Sequence, residues 1–174
     1  CGQPNGFETT MAYRSDRPKE KATAESLQQS LARVGIKLNL KGYPTSDYFT
    51  LYFGKPSFVK ENGIGLGTHG WGADWNDGFG FMSQITDSRT IRESGNYNIS
   101  IKSPEIDKLI DQANEETDKA KRDELWAQVD YKVMEEAFVL PIVWSKSVLV
   151  RPTGATNVFV TGAFDMYDYL NMGV

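Results

Sequence analysis

The sequence of 174 residues contains one cysteine, Cys1, and one histidine, His69. A lone cysteine excludes an intrachain disulfide, and together these two residues cannot supply the four ligands of a structural zinc site. No stretch of about 18 or more apolar residues is present, and no basic and then apolar leader precedes the first polar segment. We therefore expect neither a membrane-spanning helix nor an export signal within this stretch of chain.

An excess of positive charge is also missing. The 19 lysines and arginines are outnumbered by 23 aspartates and glutamates, which gives a net charge of -4. Because phosphate backbones are held by clustered cations, nucleic acid is not expected as a partner. Hydrophobic residues make up 40% of the sequence and charged residues 24%, which is ordinary globular usage and argues against disorder or a coiled coil.

The first forty residues predict a β-α-β unit. Residues 7–13 and 36–40 have the aromatic, branched or alternating pattern of strands. Between them, residues 18–34 carry apolar side chains at helical spacing, and Gly35 stands where a helix-terminating glycine belongs. A helical crossover of this kind favours two parallel strands.

Three shorter predictions cover the next segment. A turn at residues 44–47 is followed by a short helix that begins at Tyr48. Residues 55–63 are predicted to form a surface loop. Residues 64–68 are predicted to form a third strand, with Ile64 and Leu66 on the same side.

The second half of the chain predicts helices followed by strands. A short helix is expected over residues 79–85, and the helices that begin at Pro104 and Lys119 are expected to form an antiparallel hairpin. The apolar run at 138–144 and residues 147–150 are predicted to be two adjacent strands. The expected fold class is α/β, a mixed sheet flanked by helices, with its strands at Phe7, Ile36 and Val139.

Residues 70–78 are too rich in glycine for a helix and too aromatic for a flexible linker. Trp71 and Trp75 surround Asp74 with aromatic surface, and an aspartate that is shielded in this way attracts an ammonium group more strongly than an exposed one. A small cationic or zwitterionic ligand would suit this place. The alternative is that both tryptophans are core residues and Asp74 caps a turn.

Two patterns suggest other chemistry. Residues 65–70 match the dinucleotide pattern G-x-G-x-x-G, but the residues that follow do not begin the helix that this motif requires. His69 with Asp74, Asp77 and Asp87 could supply an acid and a base. No known catalytic motif accompanies them, so His69 is interpreted as a surface or loop histidine.

Several motifs, in this order, carry a family resemblance. They are G-W-G-A-D-W-N-D-G at 70–78, N-Y at 96–97, S-P-E-I-D-K-L-I-D-Q-A at 103–113, D-x-A-K-R-x-E-L-W at 118–126 and P-I-V-W at 141–144. Together with G-Q-P-N-G-F at 2–7, the chain resembles the peptide- and nickel-type extracellular solute-binding proteins of ABC importers. The resemblance covers nearly the whole chain.

The resemblance implies a larger protein with two lobes that close on a ligand. Residues 1–155 would form the C-terminal lobe, similar to lobe II of a type II periplasmic-binding-protein-like fold, and residues 156–174 would return toward the first lobe. The first lobe and the export signal would lie upstream, with Cys1 an ordinary residue. The protein would act at the extracellular face of a bacterial membrane, in the periplasm or lipid-anchored, and deliver short peptides to the transmembrane subunits of an ABC permease.

The resemblance also assigns binding residues. Asp74 matches the aspartate that pairs with the α-ammonium group of a peptide, and Trp71 and Gly72 match the segment that runs beside the peptide main chain. Trp75 completes the aromatic surface. Thr68 stands where some oligopeptide binders carry a basic residue for the carboxylate of the peptide. Neither a metal nor a cofactor is expected.

Rival hypotheses remain at this stage. Members of the family also bind nickel, haem or sugars. They often carry proline at the position that is Gly78 in this chain, and this difference leaves peptide length open. A hydrolase that uses Asp74 and Asp77 would turn its substrate over, whereas a binding protein would release it intact. A purely structural partner domain would not respond to small molecules.

Overall fold

A computed structural model of the chain describes residues 3–73, 75–146, 148–161 and 166–173. The chain divides into two compact units, each built from separate stretches of sequence. The first comprises Cys1–Gly70 and Asp87–Ser103, and the second comprises Trp71–Thr86 and Pro104–Val174. The chain therefore passes from one unit to the other between residues 70 and 71, inside the segment in which the sequence places the ligand.

The predicted β-α-β unit is confirmed. Strand β1 (Phe7–Arg14), helix α1 (Pro18–Ala32) and strand β2 (Ile36–Tyr43) follow one another, and β1 pairs with β2 in parallel from Phe7 opposite Ile36 to Arg14 opposite Tyr43. Gly35 joins α1 to β2 with a φ of 80°, a conformation that a side chain disfavours. This explains why the helix ends where the sequence predicts.

Strand β3 (Ile64–Gly67) pairs in parallel with the other side of β1, so the sheet order is β2-β1-β3. The register shifts at Thr10 and Met11, as at a β-bulge. Ile64 is buried, whereas Leu66 is 39% exposed. The prediction that these two side chains share one side is wrong, because a bulge changes the alternation that the prediction assumed.

The predicted loop at 55–63 is also wrong, because helix α2 (Pro56–Glu61) lies there. Six residues are too few to show a helical period in the sequence. Pro56 stands at the first turn, where its missing N–H costs nothing. Phe58 and Val59 pack against the buried cluster of Ala12, Tyr48 and Ile64, so tertiary packing stabilises the short helix.

The core of the first unit has two parts, one on each face of β1. Met11 packs with Ala24 and Leu38 on the side of α1. Ala12 points the other way, toward Tyr48 in a π-helix (Tyr48–Tyr52). The central strand is thus covered on both faces, as is usual for parallel sheets.

The second unit contains helices α3 (Phe79–Thr86), α4 (Pro104–Glu115) and α5 (Lys119–Glu135). The predicted hairpin of α4 and α5 is confirmed: Lys132, late in α5, lies 3.1 Å from the carboxylate of Glu105, at the start of α4. Each helix buries one stripe of side chains, which are Ile106, Ile110, Ala113, Trp126, Val129 and Val133.

The predicted strands at 138–150 are wrong for the residues described there, none of which lies in a strand. This run is instead exposed, with Leu140 at 66% and Trp144 at 100%. A strand needs a neighbouring strand for its backbone hydrogen bonds, and the described residues of this run are not paired in either of the described sheets. The sheet is consequently parallel and lacks a strand at Val139. In the tail, β4 (Val160–Thr161) and β5 (Met166–Tyr167) form a short antiparallel pair.

The helical hairpin offers a matched test of the core. We expect Val129→Ala to lower the free energy of unfolding by about 2 kcal/mol, because two buried carbons are lost and a cavity remains. Val34→Ala makes the same change at a residue that is 71% exposed and should stay within about 0.5 kcal/mol of the parent. Chemical denaturation of both variants makes the comparison. Equal losses would contradict the burial of α5 against α4.

Candidate binding site

Thr68, a predicted site residue, follows directly after β3. Its N–H donates to the Ala12 carbonyl oxygen at 3.0 Å, which extends the pairing of β1 with β3. Its hydroxyl donates to the Glu20 carboxylate at 2.5 Å. Thr68 is buried, and its side chain is held by a carboxylate of the same unit.

Glu20 forms an ion pair with Arg14, and their side chains are only 14% and 11% exposed. Arg14 ends β1 and Glu20 lies in the first turn of α1, where the helix dipole favours a negative charge. The backbone N–H of Arg14 also donates to Glu20 at 3.1 Å. Burial acts to raise the pKa of Glu20, but the hydrogen bonds from Arg14 and Thr68, together with the Arg14 charge, outweigh it and lower the pKa. The carboxylate is therefore ionised at neutral pH.

His69 lies among aromatic rings. Its imidazole meets Phe49 edge to face at 5.4 Å and Tyr97 at 5.8 Å between ring centres, and Arg14 lies over the ring of Phe49 at 5.9 Å. Surrounding protein atoms, and next the charge of Arg14, lower the pKa of His69 to about 4, although the residue keeps solvent exposure. His69 is thus a neutral loop histidine at pH 7 and brings no positive charge to the site.

The segment at 71–78 begins the second unit. The indole N–H of Trp71 donates to the Gly80 carbonyl oxygen at 3.0 Å. Trp75 is 46% exposed and stacks on Phe79, with 5.8 Å between ring centres. Gly72 is open, because a Cβ built on it would meet no atom within 4 Å. The alternative that both tryptophans are core residues is wrong for Trp75.

Asp74 lies outside the described residues, so its assigned role stays a prediction. Asp77, the other carboxylate of the hydrolase hypothesis, is engaged: Arg122 binds it through two nitrogen atoms at 2.9 and 3.0 Å, and the Phe79 N–H donates to it at 2.8 Å. Burial acts to raise the pKa of Asp77, but these hydrogen bonds and the Arg122 charge outweigh it and lower the pKa.

Asp87 shows the same pattern. Burial acts to raise its pKa, but hydrogen bonds from the side chain and the N–H of Arg89 outweigh burial and lower the pKa. A general acid needs a raised pKa, and a catalytic pair needs two values that lie apart. Asp77 and Asp87 do not meet that condition, whereas Asp74, the other carboxylate of the hydrolase hypothesis, lies outside the described residues.

The five predicted site residues are divided between the units. Thr68 belongs to the first unit, Trp71, Gly72 and Trp75 belong to the second, and Asp74 is not described. In the described parts of the chain, no group of three or more His, Cys, Asp or Glu side chains is arranged to hold a metal ion. Among the described helices, none combines the length and the apolar character that crossing a membrane requires.

The chain belongs to the bacterial extracellular solute-binding proteins, family 5. The model of the middle region of that family matches residues 1–93, which is more than half of the chain. The resemblance drawn from the motifs is thereby confirmed, and so is the α/β fold class with its periplasmic-binding-protein-like architecture.

Known relatives share this family. The chain is 31% identical to heme-binding protein A of Haemophilus influenzae over 83% of its own length and 26% of that protein. It is 30% identical to the oligopeptide-binding protein OppA of Bacillus subtilis over 59% of its length and 18% of that protein. The chain thus spans between 18% and 32% of the length of the curated relatives that it matches.

Solved structures agree with the fold. Clavulanic acid biosynthesis oligopeptide binding protein 2 superposes with a TM-score of 0.91 and 40% identity, over 99% of this chain and 31% of that one. A dipeptide binding protein from Pseudoalteromonas sp. SM9913 in complex with Met-Leu superposes with a TM-score of 0.70 and 20% identity, over 97% and 32%. The second likeness concerns the fold alone.

Sequence reasoning missed two ion pairs, Arg14 with Glu20 in the first unit and Arg122 with Asp77 in the second. Glu20 carried one usable signal, its place in the first turn of a helix that starts with proline. Arg14 and Arg122 carried no sequence signal that identified their partners. Arg122, for example, lies 45 positions from Asp77. Arg122 stood inside a quoted motif, D-x-A-K-R-x-E-L-W, without an assigned role.

The Arg14–Glu20 pair predicts a pH-dependent stability. Because the folded pKa of Glu20 is lowered, its contribution is present above the unfolded value of about 4.3 and is lost as pH falls through the folded value. We expect Glu20→Gln to cost about 3–5 kcal/mol at pH 7, since it leaves Arg14 buried without its counterion, and to cost less toward pH 3.

The control lies on the same helix. Glu25→Gln alters a pair with Lys21 at 3.9 Å in which both side chains are more than half exposed, and it should cost about 0.5 kcal/mol or less. Denaturant unfolding at pH 7 and pH 3 compares the two variants. A loss for Glu20→Gln that does not change with pH would refute the assignment.

Proposed function

We propose that the chain is the C-terminal lobe of the substrate-binding component of an ABC importer, which binds short peptides between two lobes and delivers them to the permease. Residues 1–155 form the lobe, and residues 156–174 return toward the first lobe. The family and the names of the relatives support this role. The observation that carries it is the exposure of Gly72 and Trp75 in the segment at 71–78.

The chemistry of that segment suits a peptide main chain. Gly72 leaves open space in which another backbone can approach, and Trp75 offers an exposed aromatic face. Main-chain hydrogen bonds hold peptides of any sequence, while side chains enter roomy pockets. The segment therefore binds the feature that all peptides share.

Asp74 is the proposed partner of the free α-ammonium group. The argument is its match to the family motif and its place in the sequence between Trp71 and Trp75. An aspartate near aromatic surface is less screened by water, so a charge-assisted hydrogen bond to the ammonium group is stronger there.

The carboxylate of the ligand is not captured at Thr68. Its hydroxyl already donates to Glu20, the Arg14 guanidinium is paired with the same carboxylate, and His69 is neutral. A negative ligand group would therefore find no available positive charge among these four side chains. The amino end of the peptide is the end that this lobe fixes.

The exposed run at 138–150 supports the two-lobe organisation. Most of its described residues are apolar, none of them lies in a strand, and Trp144 is wholly exposed. Large exposed apolar patches usually mark an interface. In the proposed organisation the first lobe covers this run, and the whole protein acts at the extracellular face of a bacterial membrane, in the periplasm or lipid-anchored.

The second candidate function is binding of a different solute, of a kind that other members of the same family bind. Its support is the 31% identity to a protein named heme-binding protein A. A haem, nickel or sugar ligand would keep the transport role and change only the contents of the cleft. It would also remove the need for a free amine on the ligand.

A thermal shift of the whole natural protein with mixed di- to pentapeptides tests the ligand class. A ligand that binds only the folded state raises the melting temperature, and stabilisation is about 2.7 kcal/mol at 100 times the dissociation constant. We expect stabilisation by free peptides and much less by the same peptides after N-acetylation, which removes the ammonium charge. No shift with either set, together with a shift by haem, nickel or a sugar, would replace peptides by that solute.

Substitution of Asp74 tests the amine contact directly. Asp74→Ala in the whole protein should weaken binding of free peptides by about 2–5 kcal/mol, as for loss of one partner of a buried charge pair. Asp130→Ala, at an exposed position of α5, is the matched control and should leave affinity unchanged. Isothermal calorimetry measures both. An Asp74→Ala variant with parental affinity would remove Asp74 from the site.

A further inference from the structure

We propose that Arg122 and Trp126 of α5 are positioning residues for the segment at 71–78, through Asp77 and Gly78. The inference rests on the proposed function, since it concerns how that same site is held. It adds two residues that lie 44 and 48 positions beyond the segment in sequence and that stand in the quoted motif D-x-A-K-R-x-E-L-W without an assigned role.

Arg122 fixes the end of the segment by charge. Its guanidinium holds the Asp77 carboxylate with Nε to Oδ2 at 2.9 Å and Nη2 to Oδ1 at 3.0 Å. The Nη2 contact is a charge-assisted hydrogen bond, and the close approach of Nε, which has no hydrogen-bond partner among the described residues, adds the attraction of an ion pair. The same Oδ1 accepts the Phe79 N–H at 2.8 Å, so one carboxylate ties the first turn of α3 to α5.

Trp126 restricts the position of Gly78, the residue after Asp77, by steric contact. It lies one helical turn after Arg122 and therefore on the same face of α5. A Cβ added to Gly78 would overlap atoms of the Trp126 indole ring, which is itself buried. Only a residue without a side chain lets the backbone at 78 lie this close to the ring.

The first turn of α3 in turn holds both described tryptophans of the segment. The Trp71 indole donates to Gly80, and Trp75 stacks on Phe79 while lying 3.3 Å from a Cβ built on Gly80. A displacement of this turn moves both aromatic faces together. Helix α5 can hold this turn in a fixed position because α5 is itself anchored against α4. The anchoring residues are Val129, Val133 and the Lys132–Glu105 pair.

The first test needs no ligand. In the whole natural protein, we expect Arg122→Met to speed amide hydrogen exchange at residues 71–80 at least tenfold, while exchange at Ile110 and Val129 changes less than threefold. Lys121→Met, the same substitution at the neighbouring exposed position, should change neither. Arg122→Lys keeps the charge without the paired geometry and should give an intermediate rate.

Either of two results would overturn the proposal. Unchanged exchange at 71–80 in Arg122→Met would show that Asp77 does not depend on Arg122. An equal acceleration across 71–80, Ile110 and Val129 would show an ordinary contribution to global stability.

The second test uses tetra-alanine as the probe. Gly78→Ala should weaken its binding at least tenfold at a temperature where the variant is fully folded, since Trp126 leaves no room for the added methyl group. Gly154→Ala, where the added Cβ meets no atom within 4 Å, should leave affinity within twofold of the parent. Parental affinity in Gly78→Ala would refute the role of Trp126.

The two tests separate this inference from the proposed function. If the parent protein binds no peptide while exchange at 71–80 responds selectively to Arg122→Met, the peptide assignment fails and the positioning role stands. If the parent binds tetra-alanine and neither variant differs from its control, the positioning role fails and the peptide assignment stands.

Discussion

The buried ion pair between Arg14 and Glu20 is the interaction on which one edge of the sheet in the first unit depends. It joins the end of β1 to the first turn of α1, and through Thr68 it also joins the end of β3. Parallel strands all end at the same edge of a sheet. At this edge the Glu20 carboxylate connects α1 to the ends of β1 and β3. A buried pair of this kind is sensitive to loss of one partner, because the remaining charge is left in a poorly solvated place. The chain leaves this edge at Thr68 and runs directly into the segment at 71–78.

A second ion pair has the corresponding place in the second unit. Arg122 and Asp77 connect α5 to the start of α3, as Arg14 and Glu20 connect β1 to α1. Each pair lies at one end of the short connection that contains Trp71 and Gly72. Gly72 and Trp75 can therefore be exposed while the backbone that carries them is held at both ends. A binding surface needs this combination, since a flexible loop would lose conformational entropy whenever it bound.

The described residues at 138–150 show what a partial chain leaves open. Their sequence has the composition of buried strands, yet most of them are exposed and none of the described ones lies in a strand. Membership of a family whose curated relatives are about three times longer agrees with this observation. The composition of a segment indicates whether it is suited to a buried or an exposed position. Only the assembled structure provides the surroundings that bury it.

The sequence by itself determined the β-α-β unit, the helical hairpin, the family and the candidate segment at 71–78. These features depend on local periodicity, on Gly35, on Pro104 and on motifs that lie together along the chain. Only the tertiary structure decided the short helix at Pro56–Glu61, the bulge in β3 and the exposure of Trp75, because packing between distant residues sets each of them. The same holds for the pairs of Arg14 with Glu20 and of Arg122 with Asp77. A charge pattern records which side chains can form pairs, but the fold brings one particular pair within hydrogen-bonding distance.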